Sequence, residues 1–378
     1  MEKSGIEVSA LGFGLMRLPL AIEGSYECID EKLAVAMIHH AIDHGINYLD
    51  TAYVYHGENS ERVLRKALAG GYRKKVHVAT KLPCGKVKSR EDMERLLMEQ
   101  LEKTGLEQID FYLLHALNRG SWDKMKGLGV LEFLDQAKKD GRIRHAGFSF
   151  HDSLTCFKDI LDSYDWDMCQ IQLNYMDIDW QAGMQGLQYA AHKGIDVVVM
   201  EPLRGGDLVD NLPDELLRHF EKSRIRRKPV EWAFRWLYNR PEIKVILSGM
   251  STMGQLEENL EIFKDAKAGS MDEEETRIMD AATKIILDRT KVKCTACKYC
   301  MPCPQGVNIP FLFSLYNNYS RFEGKEEARR NYKEWKAREQ GRFTADLCIR
   351  CGLCEPQCPQ SIPIPDILEE LDRELSME

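Results

Sequence analysis

Residues 76–115 read VHVATKLPCGKVKSREDMERLLMEQLEKTGLEQIDFYLLH. The stretch opens on a short apolar run, Val76–Leu82, and passes through an amphipathic segment, Arg90–Lys103, that stops just before Gly105. It closes on a second apolar run, Ile109–His115. Runs this short read as strands. Being apolar throughout rather than alternating, they fit parallel strands covered on both faces. A helix between them, ended by a glycine, completes one strand–helix–strand unit.

The same alternation extends in both directions. Further strands are predicted at Ala10–Met16, Tyr48–Ala52, Ile143–Ser149, Met168–Leu173, Asp196–Glu201 and Ile243–Gly249. Helical patterns lie at Glu31–Asp43, Gly129–Lys139, Trp180–Lys193 and Met253–Lys264, and Gly45, Gly141 and Gly194 stand where C-terminal caps belong. Eight such units over about 250 residues give the fold class: an α/β protein built on a (β/α)8 TIM barrel. A doubly wound sheet is the rival. Its phosphate-binding fingerprint would have to be Gly12-x-Gly14, which lacks a third glycine and a following helix cap.

The 378 residues allow one large domain and a small one, and 44% hydrophobic content is ample for a core. No apolar run approaches the 18 or more residues of a membrane span. The net charge of −8 argues against nucleic acid as a partner, and the basic stretch Lys222–Lys228 reads as a solvated helix end or loop. No basic stretch followed by an apolar segment occurs in Met1–Leu20, so a cytoplasmic location is expected.

Eight cysteines fall in two tight groups near the C-terminus: Cys294, Cys297, Cys300 and Cys303-Pro304, then Cys348, Cys351, Cys354 and Cys358-Pro359. The second group has the spacing of the bacterial iron–sulfur run, in which three close thiolates grip one cluster and the Cys-Pro thiolate reaches another. Eight soft ligands match two [4Fe–4S] clusters. The first group has two residues rather than three before its Cys-Pro, which leaves its ligand partition open. Zinc would leave the Cys-Pro endings unexplained, and disulfides fit poorly with a chain showing no export signal. The remaining cysteines, at 28, 84, 156 and 169, read as buried thiols. About 45 residues separate the groups and contain two helix-like segments, Ile309–Tyr319 and Lys325–Gln340. A tail with apolar residues at 364, 367, 368, 371 and 375 reads as one more amphipathic helix. The domains are therefore expected at 1–289, a barrel, and 290–378, a small all-α iron–sulfur domain.

Reactive groups of such barrels project from the C-terminal ends of strands. Here those ends carry Asp50, Lys81, His115, Ser149 and Gln170. Singly, each has an ordinary structural explanation; together, with Tyr55, they supply the groups that a carbonyl reduction needs. Tyrosine is a poor acid near neutral pH, a nearby ammonium favours its phenolate, a carboxylate keeps that ammonium charged, and a histidine can position the carbonyl oxygen.

Asp50-Thr-Ala-Tyr-Val-Tyr55, Val78-Ala-Thr-Lys81, Tyr112-Leu-Leu-His115 and Gly147-Phe-Ser149 resemble the signature of the aldo-keto reductases, over about Leu11 to Leu260. With the cysteine-rich tail, the resemblance is to the iron–sulfur branch of that family, whose tail resembles an α-helical ferredoxin. It implies a catalytic tetrad of Tyr55, Asp50, Lys81 and His115, with Tyr55 rather than Tyr53 as proton donor. It also implies NADP or NAD bound in an extended pose. Gly14, Met16 and Arg17 match the residues under that cofactor, and Ser149 and Gln170 those holding the carboxamide. The loop over the pyrophosphate is matched by Glu201-Pro-Leu-Arg-Gly-Gly206, hence Pro202, Leu203 and Gly205, and Glu258 and Asn259 match the pair near the adenine. Met200 stands where many members stack a tyrosine. Gly249 and Gln255 stand where NADPH-preferring members carry cations, which weakens any preference for a 2′-phosphate. Ser251, Thr252 and the helix start after them could still bind an anion.

His56 either lines the mouth of the site or sits exposed in a loop. Trp122, Met125, Met176, Trp180 and Met184 suggest a partly apolar pocket. The expected function is NAD(P)-linked interconversion of a small-molecule carbonyl and an alcohol, with clusters that exchange electrons with the active site or a redox protein partner. The alternatives are an electron-transfer protein whose barrel docks or senses, and a reductase whose clusters only staple the small domain.

Overall fold

A computed structural model describes residues 1–294 and 299–377. Eight parallel strands close into a barrel in chain order: β1 (Leu11–Gly14), β2 (Tyr48–Asp50), β3 (His77–Leu82), β4 (Ile109–Leu117), β5 (Ile143–Phe150), β6 (Met168–Gln172), β7 (Asp196–Met200) and β8 (Ile243–Ser248). All eight expected strands are present, each within a few residues of its predicted limits. Closure is made by β1 against β8, with Leu11 opposite Ile246 and Gly12 opposite Leu247. A Cβ on Gly12 would stand 2.7 Å from Val245 Cγ1 and 2.8 Å from Leu247 Cδ2, so the seam requires a residue without a side chain.

The helix Arg90–Thr104 of the opening stretch shows why the pattern folds this way. Ser89 and Asp92 form a reciprocal capping box at its start, and Gly105 ends it with a left-handed φ of 69°. Side chains along β4 then alternate. Tyr112 points outward, donating its hydroxyl to Gln100 Oε1 at 2.8 Å, while Phe111 and Leu113 point inward. On β5, Phe148 and Phe150 pack outward against Phe157, which leaves Gly147 and Ser149 facing the axis. The inward layer comprises Tyr48, Ala79, Phe111, Leu113, Met168, Val198, Val245 and Leu247, and Ile6 closes it below. Asp196 fixes that floor by accepting from the Glu2 N–H at 2.9 Å.

Helices Ser60–Ala67, Leu154–Leu161, Asp214–Lys222 and Pro229–Tyr238 add to the expected set, and one more lies where an open loop was expected. Arg119–Gly127 begins at Asn118, whose side chain accepts from the Ser121 N–H, and it buries Trp122 and Met125. The segment 118–126 is therefore packed structure rather than an open loop.

The chain forms two compact units, 1–205 with 230–272 and 206–229 with 273–378. In that unit His219 Nε2 pairs with the Ile278 carbonyl at 2.9 Å. Arg224 and Arg227 of the basic stretch pair with Glu274 and Glu275. Its core gathers Leu312, Phe313 and Tyr316 from helix Ile309–Arg321, Tyr332 from Lys325–Arg338, and Leu368 and Leu371 from Ile364–Ser376. In the tail, Ile364, Leu368, Leu371 and Leu375 are buried and Ile367 is partly so, as the spacing requires. Among the described residues no helix is long and apolar enough to cross a membrane.

Candidate active site and cysteine-rich centre

Two residues beyond the inward layer, seven of the eight strands present one more inward position. The step runs from Tyr48 to Asp50, Ala79 to Lys81, Leu113 to His115, Gly147 to Ser149, Met168 to Gln170, Val198 to Met200 and Leu247 to Gly249. The period of two thus carries the expected site residues of seven strands into one layer at the C-terminal rim.

Lys81 is the hub. Its Nζ donates to Asp50 Oδ1 at 2.5 Å, to the Thr51 carbonyl at 2.8 Å and to Tyr55 Oη at 3.3 Å, which uses all three of its protons. The His115 ring meets the Tyr55 ring edge-on at 5.8 Å. Gln170 Nε2 lies 3.5 Å from Asp50 Oδ2. Tyr53 points elsewhere, donating to Glu99 on the helix Arg90–Thr104, so the geometry gathers Tyr55 and not Tyr53.

Burial and charge set the protonation states. Burial alone would push Lys81 down, but Asp50 and Tyr55 hold its ammonium above the ordinary value. Burial pushes the Asp50 carboxyl up; the ammonium opposes this, and at 2.5 Å we take the pair as ionised. Burial also raises Tyr55, with Lys81 opposing, so the phenol is protonated in the resting site. The expectation that Lys81 would set a lowered tyrosine pKa is corrected here, because desolvation of the phenolate outweighs the ammonium. Burial, then Lys81, then His151 push His115 down to about 3, so its imidazole is neutral.

The expected cofactor positions are partly converged. Gln170 Oε1 is buried without a hydrogen-bond partner and can accept from an amide NH2. Ser149 Oγ accepts from the Ala116 N–H at 2.8 Å, and its own proton remains available. Arg17 lies along Gly249, where a Cβ would stand 3.2 Å from the Arg17 stem, and its guanidinium reaches Gly205. Ser251 Oγ donates to the Arg17 carbonyl at 2.8 Å. Gln255 Oε1 accepts the Ser251 N–H at 2.9 Å, so an anion at this helix start would have to displace that side chain. Asn259 is buried and donates to Ser248 Oγ at 3.0 Å, tying helix Met253–Phe263 to β8, while Glu258 is half-exposed on the same helix. Gly14 is buried, Met16 exposed, Pro202 buried, and Leu203 and Met200 half-buried.

Several residues depart from their sequence reading. His56 neither lines the mouth nor sits exposed. It is buried, accepts the Leu18 N–H at Nε2 (3.1 Å), donates from Nδ1 to the Tyr26 carbonyl (2.6 Å) and stacks on the Tyr26 ring at 4.4 Å. Of the expected pocket wall, Trp122, Met125 and Met176 are buried and Trp180 is exposed. His151 was missed. It follows Ser149 by two residues on the inward face and acts electrostatically on His115. Carrying the β5 alternation one step past the strand end would have found it.

In the second unit, a cavity of about 330 Å³ is lined by Cys300, Cys303, Cys348, Cys351 and Cys354. The close triplet of the second group therefore faces the Cys-Pro thiol of the first, and Cys303 and Cys348 both act electrostatically on Cys354. This soft, sulfur-only donor set fits an iron–sulfur cluster. Cys294 and Cys358 are half-buried beside the same core. Cys297 lies outside the described residues.

Comparison with known proteins agrees with both centres. Residues 10–283 match the aldo/keto reductase family, and residues 293–362 match a 4Fe-4S dicluster domain. L-galactose dehydrogenase of Arabidopsis thaliana is 28% identical over 312 residues, covering 77% of this chain and 95% of that protein. The holo form of a Bacillus halodurans aldo-keto reductase superposes with a TM-score of 0.62 at 24% identity, over 75% of this chain and 94% of the other. A Klebsiella pneumoniae aldo-keto reductase in complex with NADPH gives 0.56 at 19% identity, over 72% and 90%. The chain is an oxidoreductase of the aldo/keto reductase family whose barrel is followed by a 4Fe-4S domain.

Proposed function

We propose that the barrel interconverts carbonyls and alcohols with NAD(P), and that the second unit carries two [4Fe–4S] clusters. The observation that carries the reading is the contact of Lys81 with both Asp50 and Tyr55, under a neutral His115. A bound nicotinamide supplies or accepts the hydride. Tyr55 starts protonated, as a proton donor must. As its proton passes to the carbonyl oxygen, the Lys81 ammonium 3.3 Å away meets the developing phenolate. Asp50 keeps that ammonium charged throughout. His115, having no charge of its own, can hold the carbonyl oxygen by a hydrogen bond and keep it within reach of Tyr55.

The Gln170 carbonyl and the Ser149 hydroxyl would hold the carboxamide, Met200 would lie against the ring, and Arg17 with residues 202–205 would line the phosphates. Neither Gly249 nor Gln255 offers a cation for a 2′-phosphate, so NADP and NAD both stay in the proposal. Similarity to a protein named for L-galactose puts sugar-like polyols first among substrates to try.

For the clusters we assign Cys348, Cys351, Cys354 and Cys303 to one, and Cys294, Cys297, Cys300 and Cys358 to the other. The partition follows the spacing, three close thiolates and the Cys-Pro thiolate of the other group for each cluster. The cavity that Cys303 lines with Cys348, Cys351 and Cys354, and also with Cys300, is compatible with it. Their use would be one-electron exchange with a redox protein.

The test is an anaerobic titration of iron-loaded protein with NADPH and NADH, followed by nicotinamide fluorescence and then a screen of aldehydes, sugars and polyols. Saturable binding with turnover of any carbonyl or alcohol supports the reading. Binding of neither nucleotide would remove it.

A further inference from the structure

Strands β4 and β5 lose register at the site. Leu114 stands opposite Phe148 and Leu117 opposite Phe150, so two residues of β4, His115 and Ala116, face the single residue Ser149. This is a β-bulge, and His115 is its first residue. Ala116 takes a φ of 53°, a left-handed conformation that a residue with a Cβ adopts at a cost. Its N–H donates to Ser149 Oγ at 2.8 Å. Beyond the bulge the ladder resumes, with the His151 N–H donating to the Leu117 carbonyl at 2.9 Å.

We infer that the Ser149 hydroxyl is a positioning group for His115, pinning the bulge that aims the imidazole over Tyr55. The inference deepens the proposed function and rests on it for its catalytic meaning. The direction of the His115 Cα–Cβ bond depends on a backbone conformation that alanine does not favour. What opposes relaxation of that conformation is the hydrogen bond at the next amide. A hydroxyl has two lone pairs and one proton, so Ser149 can accept from Ala116 and still donate to a bound amide. The two roles are compatible and separable by experiment.

The separation uses the glycine that the bulge lacks. Glycine accepts a φ of 53° without strain, so Ala116→Gly lets the bulge stay closed without its anchor. Ser149→Ala is made in the wild type and in Ala116→Gly, alongside Ser149→Thr, which keeps the hydroxyl. Reduction of 4-nitrobenzaldehyde by NADPH is followed anaerobically, with NADPH affinity measured separately. In the wild-type background Ser149→Ala should lower kcat about tenfold, as loss of alignment does. In the glycine background the loss of kcat at saturating NADPH should be at least about threefold smaller, any loss of NADPH affinity being the same in both backgrounds. Ser149→Thr, which keeps the hydroxyl, should restore kcat toward wild type. An equal loss in both backgrounds, tracking weaker NADPH binding, would leave Ser149 as a cofactor contact only and overturn the inference.

A second readout needs no turnover. In protein labelled with 13C at histidine Cε1, the His115 resonance, assigned by its loss in His115→Gln, should shift in Ser149→Ala and return in the double variant. If it stays unmoved in Ser149→Ala, the inference falls even where turnover is normal. If it moves while no carbonyl is reduced by the wild type, the positioning stands and the proposed reaction is what fails. Should Ser149→Ala not accumulate, Ser149→Cys, a weaker acceptor of similar size, serves the same comparison.

Discussion

Tyr55 and Lys81 stand 3.3 Å apart in a site where burial alone would keep the phenol from ionising. Removing the hydroxyl removes the proton that the alkoxide needs, so Tyr55→Phe should lower carbonyl turnover by about 10²–10⁴-fold while NADPH and NADH affinity stay nearly unchanged. Turnover within a few-fold of wild type would remove Tyr55 as the proton donor. His115 gives a pH prediction of definite sign. Its imidazole is held down to about 3 in the fold, against about 6.5 when unfolded. Between those values the unfolded chain carries a proton that the native chain does not, so this residue makes stability rise with pH across that window. His115→Gln should flatten the decline in urea stability from pH 6.5 toward pH 4. A decline of unchanged steepness would argue against a buried neutral His115. These residues were legible as a set, because their types and places in the motifs are visible in the chain. The protonation of Tyr55 was not, since a sequence displays the neighbouring lysine but not the loss of water. His56 was misread for a similar reason: its partners, Leu18 and Tyr26, are 38 and 30 residues away.

At the scale of elements, the seam between β1 and β8 has the least room. Gly12→Val places methyl groups where Val245 and Leu247 already stand, and overpacking of this kind costs about 1–3 kcal/mol. We expect a lower unfolding midpoint for Gly12→Val with the C-terminal iron content unaltered. A wild-type midpoint would mean that the seam opens freely. All eight strands could be read from short apolar runs, and Gly105, Gly141 and Gly194 take the positive φ of caps or turns. The helix Arg119–Gly127 escaped because a polar segment ending near Gly127 and Gly129 looks like a loop. Only the reciprocal Asn118–Ser121 cap and the burial of Trp122 show otherwise. The bulge at His115 and Ala116 was equally hidden, because register is a property of two strands and each strand alone is unremarkable.

At the scale of the whole molecule, the cysteine spacing announced the metal chemistry and the crossing of the Cys-Pro thiolate, and the fold adds that Cys300 and Cys303 share one space with Cys348, Cys351 and Cys354. Because Cys303 and Cys351 line one space, Cys303→Ala and Cys351→Ala should each remove about half of the iron, and the double variant should lose little more than either alone. Adding Cys358→Ala to Cys351→Ala should remove most of the remainder. Additive loss in the first pair would overturn the assignment. The thiols around that cavity come from residues 300–303 and 348–354, and the chain between them forms the helices Ile309–Arg321 and Lys325–Arg338. Metal that bridges such separated segments contributes to folding as well as to redox chemistry. Chain synthesised under iron starvation should therefore yield first to protease between residues 339 and 347, the stretch leading into the second cysteine group. Nutrient supply would then be read out as how long each copy survives in the cell, ahead of any change in how fast it works.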